Sequence, residues 1–169
     1  MLLIDFPEPR VWARIVGKGL GVRYVQLVAD LLNPFLLERI IQAQMDKIKK
    51  SVDKHGIKLD TTFISPLTRV NQLMHPDRTH RKLWFKSFFT ISVKLGARGS
   101  GSHVDIMSVS DFNNLTRREF LIKGAIKYWR DVCHFGTKLG FEFLAFEPMS
   151  VPPRDGLYYR SDKETFAGG

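Results

Sequence analysis

The sequence predicts an α/β fold in which parallel strands are covered by helices, and two observations predict it. A helix-like run that closes on glycine and passes at once into an apolar, β-rich run occurs four times, in "LGVRYVQLVAD", "HGIKLDTTFIS", "LGARGSGSHVDIM" and "LGFEFLAFEPMS". The unit returns at intervals of roughly 35–40 residues, which is the spacing of strand–helix repeats and argues for a parallel sheet. Parallel strands need covered faces, and the intervening helices supply the cover. Doubly wound sheets and barrels both satisfy this pattern. No G-x-G-x-x-G follows the first of these strands, so a dinucleotide-binding fold gains no support.

The elements follow in order. Val11, Trp12, Ile15 and Val16 predict a short first helix. Tyr24–Ala29 reads as a strand, rich in branched and aromatic residues. Asn33 and Pro34 predict the start of the next helix, with Asn as cap and Pro in the first turn. Leu37, Ile41, Met45, Ile48 and Val52 then advance by three or four residues along one face. Lys58–Ile64 is the next strand, and Leu83, Trp84, Phe88, Ile91 and Leu95 predict a third helix. The run Gly96–Ser102 reads as a flexible loop before a strand at His103–Met107. A long helix carries Phe120, Leu121, Ala125, Tyr128, Val132 and Phe135 on one face, and Phe141–Phe146 is the strand after it. Gly21, Gly56, Gly96 and Gly140 each stand where a left-handed residue closes a helix. The aromatics of these elements are assigned to the core.

Composition bounds the function. The chain has 169 residues, 44% hydrophobic and 25% charged, which is ordinary for one globular domain. No run approaches the ~20 apolar residues of a membrane span, and the N-terminus lacks the basic lead of a signal peptide. Cys133 is the single cysteine, so no disulfide forms within the chain and a reducing, cytoplasmic compartment is expected. The net charge of +9 raises nucleic acid as a partner. The basic residues are spread over helix faces such as "MDKIKKSVDK", interrupted by Asp46 and Asp53, and read as solvated, so nucleic acid is not favoured.

Polar residues gather at the predicted carboxyl ends of the strands. Asp30 follows the strand at Tyr24. Thr61, Thr62 and Ser65 lie on or after the strand at Lys58. His103 and Asp105 belong to the strand after Gly101, and Glu147 ends the strand at Phe141. In barrels all strands point one way and the site is built at that end. Glu147, between an apolar strand and Pro148, has the chemistry to bind a divalent cation or to take a proton next to a carbonyl. A loop glutamate facing solvent is the alternative. His103 reads either as a substrate contact or as a hydrogen-bonded structural histidine, and Asp30 as a substrate contact or a helix cap. His75, His80 and His134 lack metal-ligand spacing, and no Ser or Cys nucleophile motif is present.

The phrases "YVQLVADLLNPF", "DTTFISPLTRVNQLMHPD", "SVKLGARGSGSH" and above all "GFEFLAFEPMSVP" resemble the sugar-phosphate isomerase/epimerase members of the xylose-isomerase-like barrels. The resemblance runs from about Trp12 to Pro152. It implies a partial (β/α)8 TIM barrel of about the first five βα units, with residues 1–6 as a degenerate first strand. It implies a ketose-phosphate substrate, a divalent metal such as Mn2+, and proton transfer through an enediolate. On the matching positions Glu147 is implied as catalytic residue and metal ligand, and His103, Asp30 and Asn33 as substrate-binding. The remaining ligands are expected from strands beyond these, so the chain is expected to be truncated and inactive alone, with dimerisation through open sheet edges. Two other classes stay in view: a non-catalytic half-barrel that acts by oligomerising, and a metal-dependent abasic-site endonuclease.

Residues 1–152 are thus expected to form the N-terminal part of a barrel domain. Residues 153–169 read as an aberrant or disordered tail with no apolar period. Read one base out of register from the Pro153 codon, permitted codons give Arg-Glu-Met and an amphipathic pattern, so a frameshift is expected from about Pro153.

Overall fold

The computed structural model describes residues 8–64, 78–103, 106–147 and 157–159. The first helix, α1 (Pro9–Ala13), starts on proline, whose missing N–H costs nothing at that position. It continues as a π-helical turn, Arg14–Gly19. Strand β1 (Tyr24–Val28) leads through a 3-10 turn (Ala29–Leu31) to α2 (Glu38–Lys54). Then come β2 (Lys58–Phe63), α3 (Arg78–Lys94), β3 (Gly99–His103), β4 (Ile106–Ser108), α4 (Val109–Asn113), α5 (Leu115–Leu139), β5 (Phe143–Glu147) and β6 (Leu157–Tyr159). The expected first strand at residues 1–6, together with Ser65, His75, Asp105 and most of the tail, lies outside the described residues.

The main sheet is parallel, with order β1-β2-β3-β5. This is the α/β arrangement the repeats predict. Gly21, Gly56, Gly96 and Gly140 all have positive φ, between 64° and 94°, so the helix-closing role read from their positions holds. A second, two-stranded sheet pairs β4 with β6 in antiparallel fashion. Three residues of the expected tail therefore form a strand.

One face of the main sheet carries Leu27, Leu59, Thr62, Ser100 and Leu144, and the helices pack there. From α2 come Ile41, Met45, Ile48 and Val52; from α3, Phe85, Phe88, Phe89 and Ile91; from α5, Ala125, Tyr128, Trp129 and Val132. Each fully buried large side chain contributes roughly 1.5–3 kcal/mol. Phe85 joins α3 to α5 through edge-to-face contacts with Tyr128 and Trp129, and Trp129 meets Phe146 of β5 at 4.4 Å between ring centroids. Within this core Thr62 Oγ1 lies 2.8 Å from Ser92 Oγ and 2.9 Å from Ser100 Oγ, while Ser92 donates to the Phe88 carbonyl. These hydroxyls tie α3 to β2 and β3.

Several sequence readings need correction. The run Gly99–Ser102 is not a flexible loop: it is strand β3, buried along its whole length, and His103 ends that strand rather than starting the next. The reason is tertiary. A Cβ on Gly99 would stand 2.7 Å from the Phe143 ring and one on Gly101 2.5 Å from the Phe63 ring, so only glycine lets these aromatics lie across the strand. Asn33 does not cap α2, whose N-cap is Leu37. Its Oδ1 instead accepts from the Phe35 N–H at 2.9 Å, closing a turn before the helix. Leu37, 62% exposed, and Phe120, 66% exposed, leave the buried stripes assigned to them. Leu37 precedes the first helical turn, and Phe120 lies under the Arg117 guanidinium on the surface.

Candidate active site at the carboxyl ends of the strands

The other face of the sheet has no helix on it among the described residues. Its order follows from register and the two-residue alternation of strands. Gln26, Thr61, Gly99 and Phe143 make one row across β1, β2, β3 and β5; Val28, Phe63, Gly101 and Ala145 make the next. Gln26 donates to Thr61 Oγ1 at 3.2 Å. One step further toward the carboxyl end, His103 is paired in register with Glu147.

A bulge makes this row pattern possible. The β1–β2 register shifts between Val25 and Gln26, leaving Asp60 as the extra residue of β2. Thr61 and Phe63 therefore share the face of Gly101 and His103, while Thr62 turns to the helices. Asp60 receives the Arg98 guanidinium at 2.8 and 3.2 Å, and Arg98 also donates to Glu142 at 2.9 Å. The bidentate contact with Arg98 holds the Asp60 carboxyl below its ordinary pKa. This clamp joins β2, β3 and β5 at their amino ends, opposite to His103 and Glu147.

His103 is 3% exposed, and its imidazole stands edge-on to the Phe63 ring, with centroids 5.3 Å apart and planes at 83°. Phe63 reaches it by crossing Gly101. Asp30, in the turn after β1, is at the same end of the sheet but two strands away, about 10 Å at ordinary strand spacing. Its residue is exposed, yet its carboxyl is partly withdrawn from solvent, which raises its pKa. Asn33 is exposed and spends its carbonyl oxygen on the local turn.

The register thus brings His103 and Glu147 side by side, keeps Asp30 on the rim and ties Asn33 to its own backbone. Phe63 and Gln26 are site-lining residues that sequence reasoning missed. The signal for Phe63 is the alternating Gly-Ser-Gly-Ser run: small residues on a strand mark a close approach by something large. Among the described residues no group of three His, Cys, Asp or Glu side chains converges as a cation would require.

A parallel sheet with helices on one face and polar residues at its carboxyl ends is the arrangement of successive β/α units, in which sites are built at that end. No protein-family model matches the chain. It is 31% identical over 153 residues to D-erythrulose 1-phosphate 3-epimerase of Brucella abortus (strain 2308), covering 89% of this chain and 49% of that protein. A xylose isomerase-type protein of Rhodospirillum rubrum superposes with a TM-score of 0.75 at 23% identity, over 85% of this chain and 50% of that one. The chain spans about half the length of the curated relative it matches, and the likeness to the solved structure shows that it shares the fold of that protein's barrel over the matched part. Among the described residues no helix is long and apolar enough to cross a membrane.

Proposed function

We propose that this chain supplies part of the active site of a sugar-phosphate epimerase or isomerase, with a ketose phosphate bound across the carboxyl ends of β1, β2, β3 and β5. The observation that carries this is the register pairing of His103 with Glu147 at that end of the sheet. Glu147 is assigned as the base that removes the proton beside the substrate carbonyl, giving an enediolate. Return of the proton by Glu147 to the neighbouring carbon gives isomerisation, whereas epimerisation needs a proton delivered to the opposite face by a second acid outside the described residues. His103, held by Phe63, is assigned to a substrate oxygen, and Asp30 and Asn33 to the rim. Glu147 would also be the carboxylate ligand of a divalent cation such as Mn2+, which when bound stabilises the developing oxyanion. The described residues supply no full donor set for that ion, and Glu147 accounts for the removal of the proton.

The described residues place His103, Glu147 and, on the rim, Asp30 at this end, short of a full set of ligands, so the proposal gives the chain a share of a site, with no turnover expected from it alone. On the face away from the helices Tyr24 is 62% and Phe143 40% exposed, and among the described residues the outer edges of β1 and β5 carry no partner strand, which supports self-association there.

Calorimetric titration with a ketose 1-phosphate in the presence of Mn2+ tests the reading. Saturable binding that Glu147→Gln and His103→Ala both weaken is expected. Binding and cleavage of abasic DNA in place of the sugar phosphate would replace it with the endonuclease reading.

A further inference from the structure

The run "MDKIKKSVDK" mixes basic and acidic residues along the sequence, and α2 sorts them in space. At 3.6 residues per turn Lys47, Lys50 and Lys54 fall within about 60° of one another, and Asp46 and Asp53 lie outside that arc. Asp46 accepts from Gln42 at 2.9 Å, and Asp53 lines a separate groove with Lys58 and Arg98. The three lysines border the α1 side of α2, where the two helices pack. Arg10 on α1 and Arg14 in the turn that continues it stand one turn apart across from them.

Between these rows is a groove of about 580 Å³. Among the described residues Glu8 is its one carboxylate, so five cations less one anion leave +4 with His55 neutral. All five cations are exposed, and none of them takes part in an ion pair among the described residues. Lys94, Arg98 and Arg117 differ in this, each lying 2.8–3.8 Å from a carboxylate. Cations gathered without counterions focus a positive potential in the groove. Its walls offer little else. Val11 is the one hydrocarbon side chain among the described lining residues, none of which is Phe, Tyr or Trp, and the Ser51 hydroxyl is spent on the Lys47 carbonyl at 2.7 Å.

We propose that this groove binds an oligophosphate, held by a run of phosphoryl groups and not by any organic part attached to them. Arginine forks from one side and lysine ammoniums from the other supply charge-assisted donors to phosphate oxygens. Walls without rings or an apolar stripe give a base nothing to stack on and a partner helix nothing to bury. Packed helices have axes about 8–10 Å apart, too close to admit a nucleic-acid duplex between them. Lys54 precedes the start of β2 by four residues, so the groove lies toward the amino ends of the strands. His103 and Glu147 are at the opposite end, and the inference does not rest on the function proposed for them.

The test is calorimetric titration of the full chain with sodium tripolyphosphate at about 0.15 M salt, where distant surface charges are screened. Orthophosphate, ATP without magnesium and a single-stranded oligonucleotide are titrated in parallel. Saturable binding of tripolyphosphate is expected, with ATP within a few-fold of it and orthophosphate and the oligonucleotide weaker. The pair Lys47→Gln and Lys50→Gln should weaken it about tenfold. Lys82→Gln with Lys86→Gln on α3, an equal loss of charge elsewhere, should leave it unchanged. Circular-dichroism melts check that the variants fold; should the α2 pair melt early, Arg10→Gln with Arg14→Gln takes its place. No saturable binding, orthophosphate or the oligonucleotide binding as tightly as tripolyphosphate, ATP binding far more tightly, or equal losses in the α2 and α3 pairs would each overturn the proposal.

Discussion

Phe63 lies across Gly101, so close that a Cβ on the glycine would stand 2.5 Å from the ring, and this crossing sets the ring edge-on to His103. A residue with no side chain thereby positions an aromatic on the next strand, and the aromatic positions the imidazole at the end of the sheet.

Gly101→Ala is accordingly expected to destabilise the fold by about 1–3 kcal/mol, the usual cost of overpacking a site that cannot give. The shift in urea midpoint measures it. The His103 ring resonances should move in the same variant. Trimming the obstruction with Phe63→Leu should recover part of the lost stability in the double variant; additive losses would show that the two residues do not compete for the same space.

The Thr62 hydroxyl has one proton for two serine oxygens, Ser92 at 2.8 Å and Ser100 at 2.9 Å, while Ser92 donates to the Phe88 carbonyl and Ser100 reaches the Thr62 carbonyl at 3.4 Å. Thr62→Val removes the shared partner and leaves both serines in the core with one fewer bond. A loss of about 1–3 kcal/mol is expected, measured by chemical denaturation. A neutral substitution would show that the chain of hydroxyls contributes nothing.

Acid should loosen the amino end of the sheet. The folded pKa of Asp60 is lowered below its ordinary value of 3.8 by Arg98, so its stabilising contribution is fully present above that value and is lost as pH falls through the folded pKa. Melting temperature should therefore fall as pH drops below the ordinary carboxylate range, and Arg98→Ala should flatten that fall. An unchanged acid limb in the variant would assign the effect to other carboxylates.

These particulars show what the sequence carried. The repeat of helix, glycine and strand was legible because a left-handed closing residue leaves a local mark, and all four glycines have the positive φ it implies. Strand β3 was not legible. Glycine and serine have low strand propensity, and what holds Gly99–Ser102 extended and buried is the Phe63 and Phe143 rings on one face and the Thr62 hydroxyl on the other. Asn33 misled because the same side chain serves a helix cap or a turn, and only the backbone path decides between them. Of the candidate site, the strand-end positions of Asp30 and Glu147 could be read directly. That His103 ends a strand, and that it pairs with Glu147, depends on the β3–β5 register, which runs unbroken from Gly99 and Phe143 and which no local pattern displays.

The central claim is that His103 and Glu147 belong to one site that binds a divalent cation and a ketose phosphate. The most direct measurement is paramagnetic broadening of the His103 ring protons on titration with Mn2+, with and without a ketose 1-phosphate, in the wild type and in Glu147→Gln. Saturable broadening at His103 that sharpens its midpoint when the sugar phosphate is added, and that disappears in Glu147→Gln, is the result predicted. Broadening that is absent at His103, or that survives unchanged in Glu147→Gln, would contradict the claim.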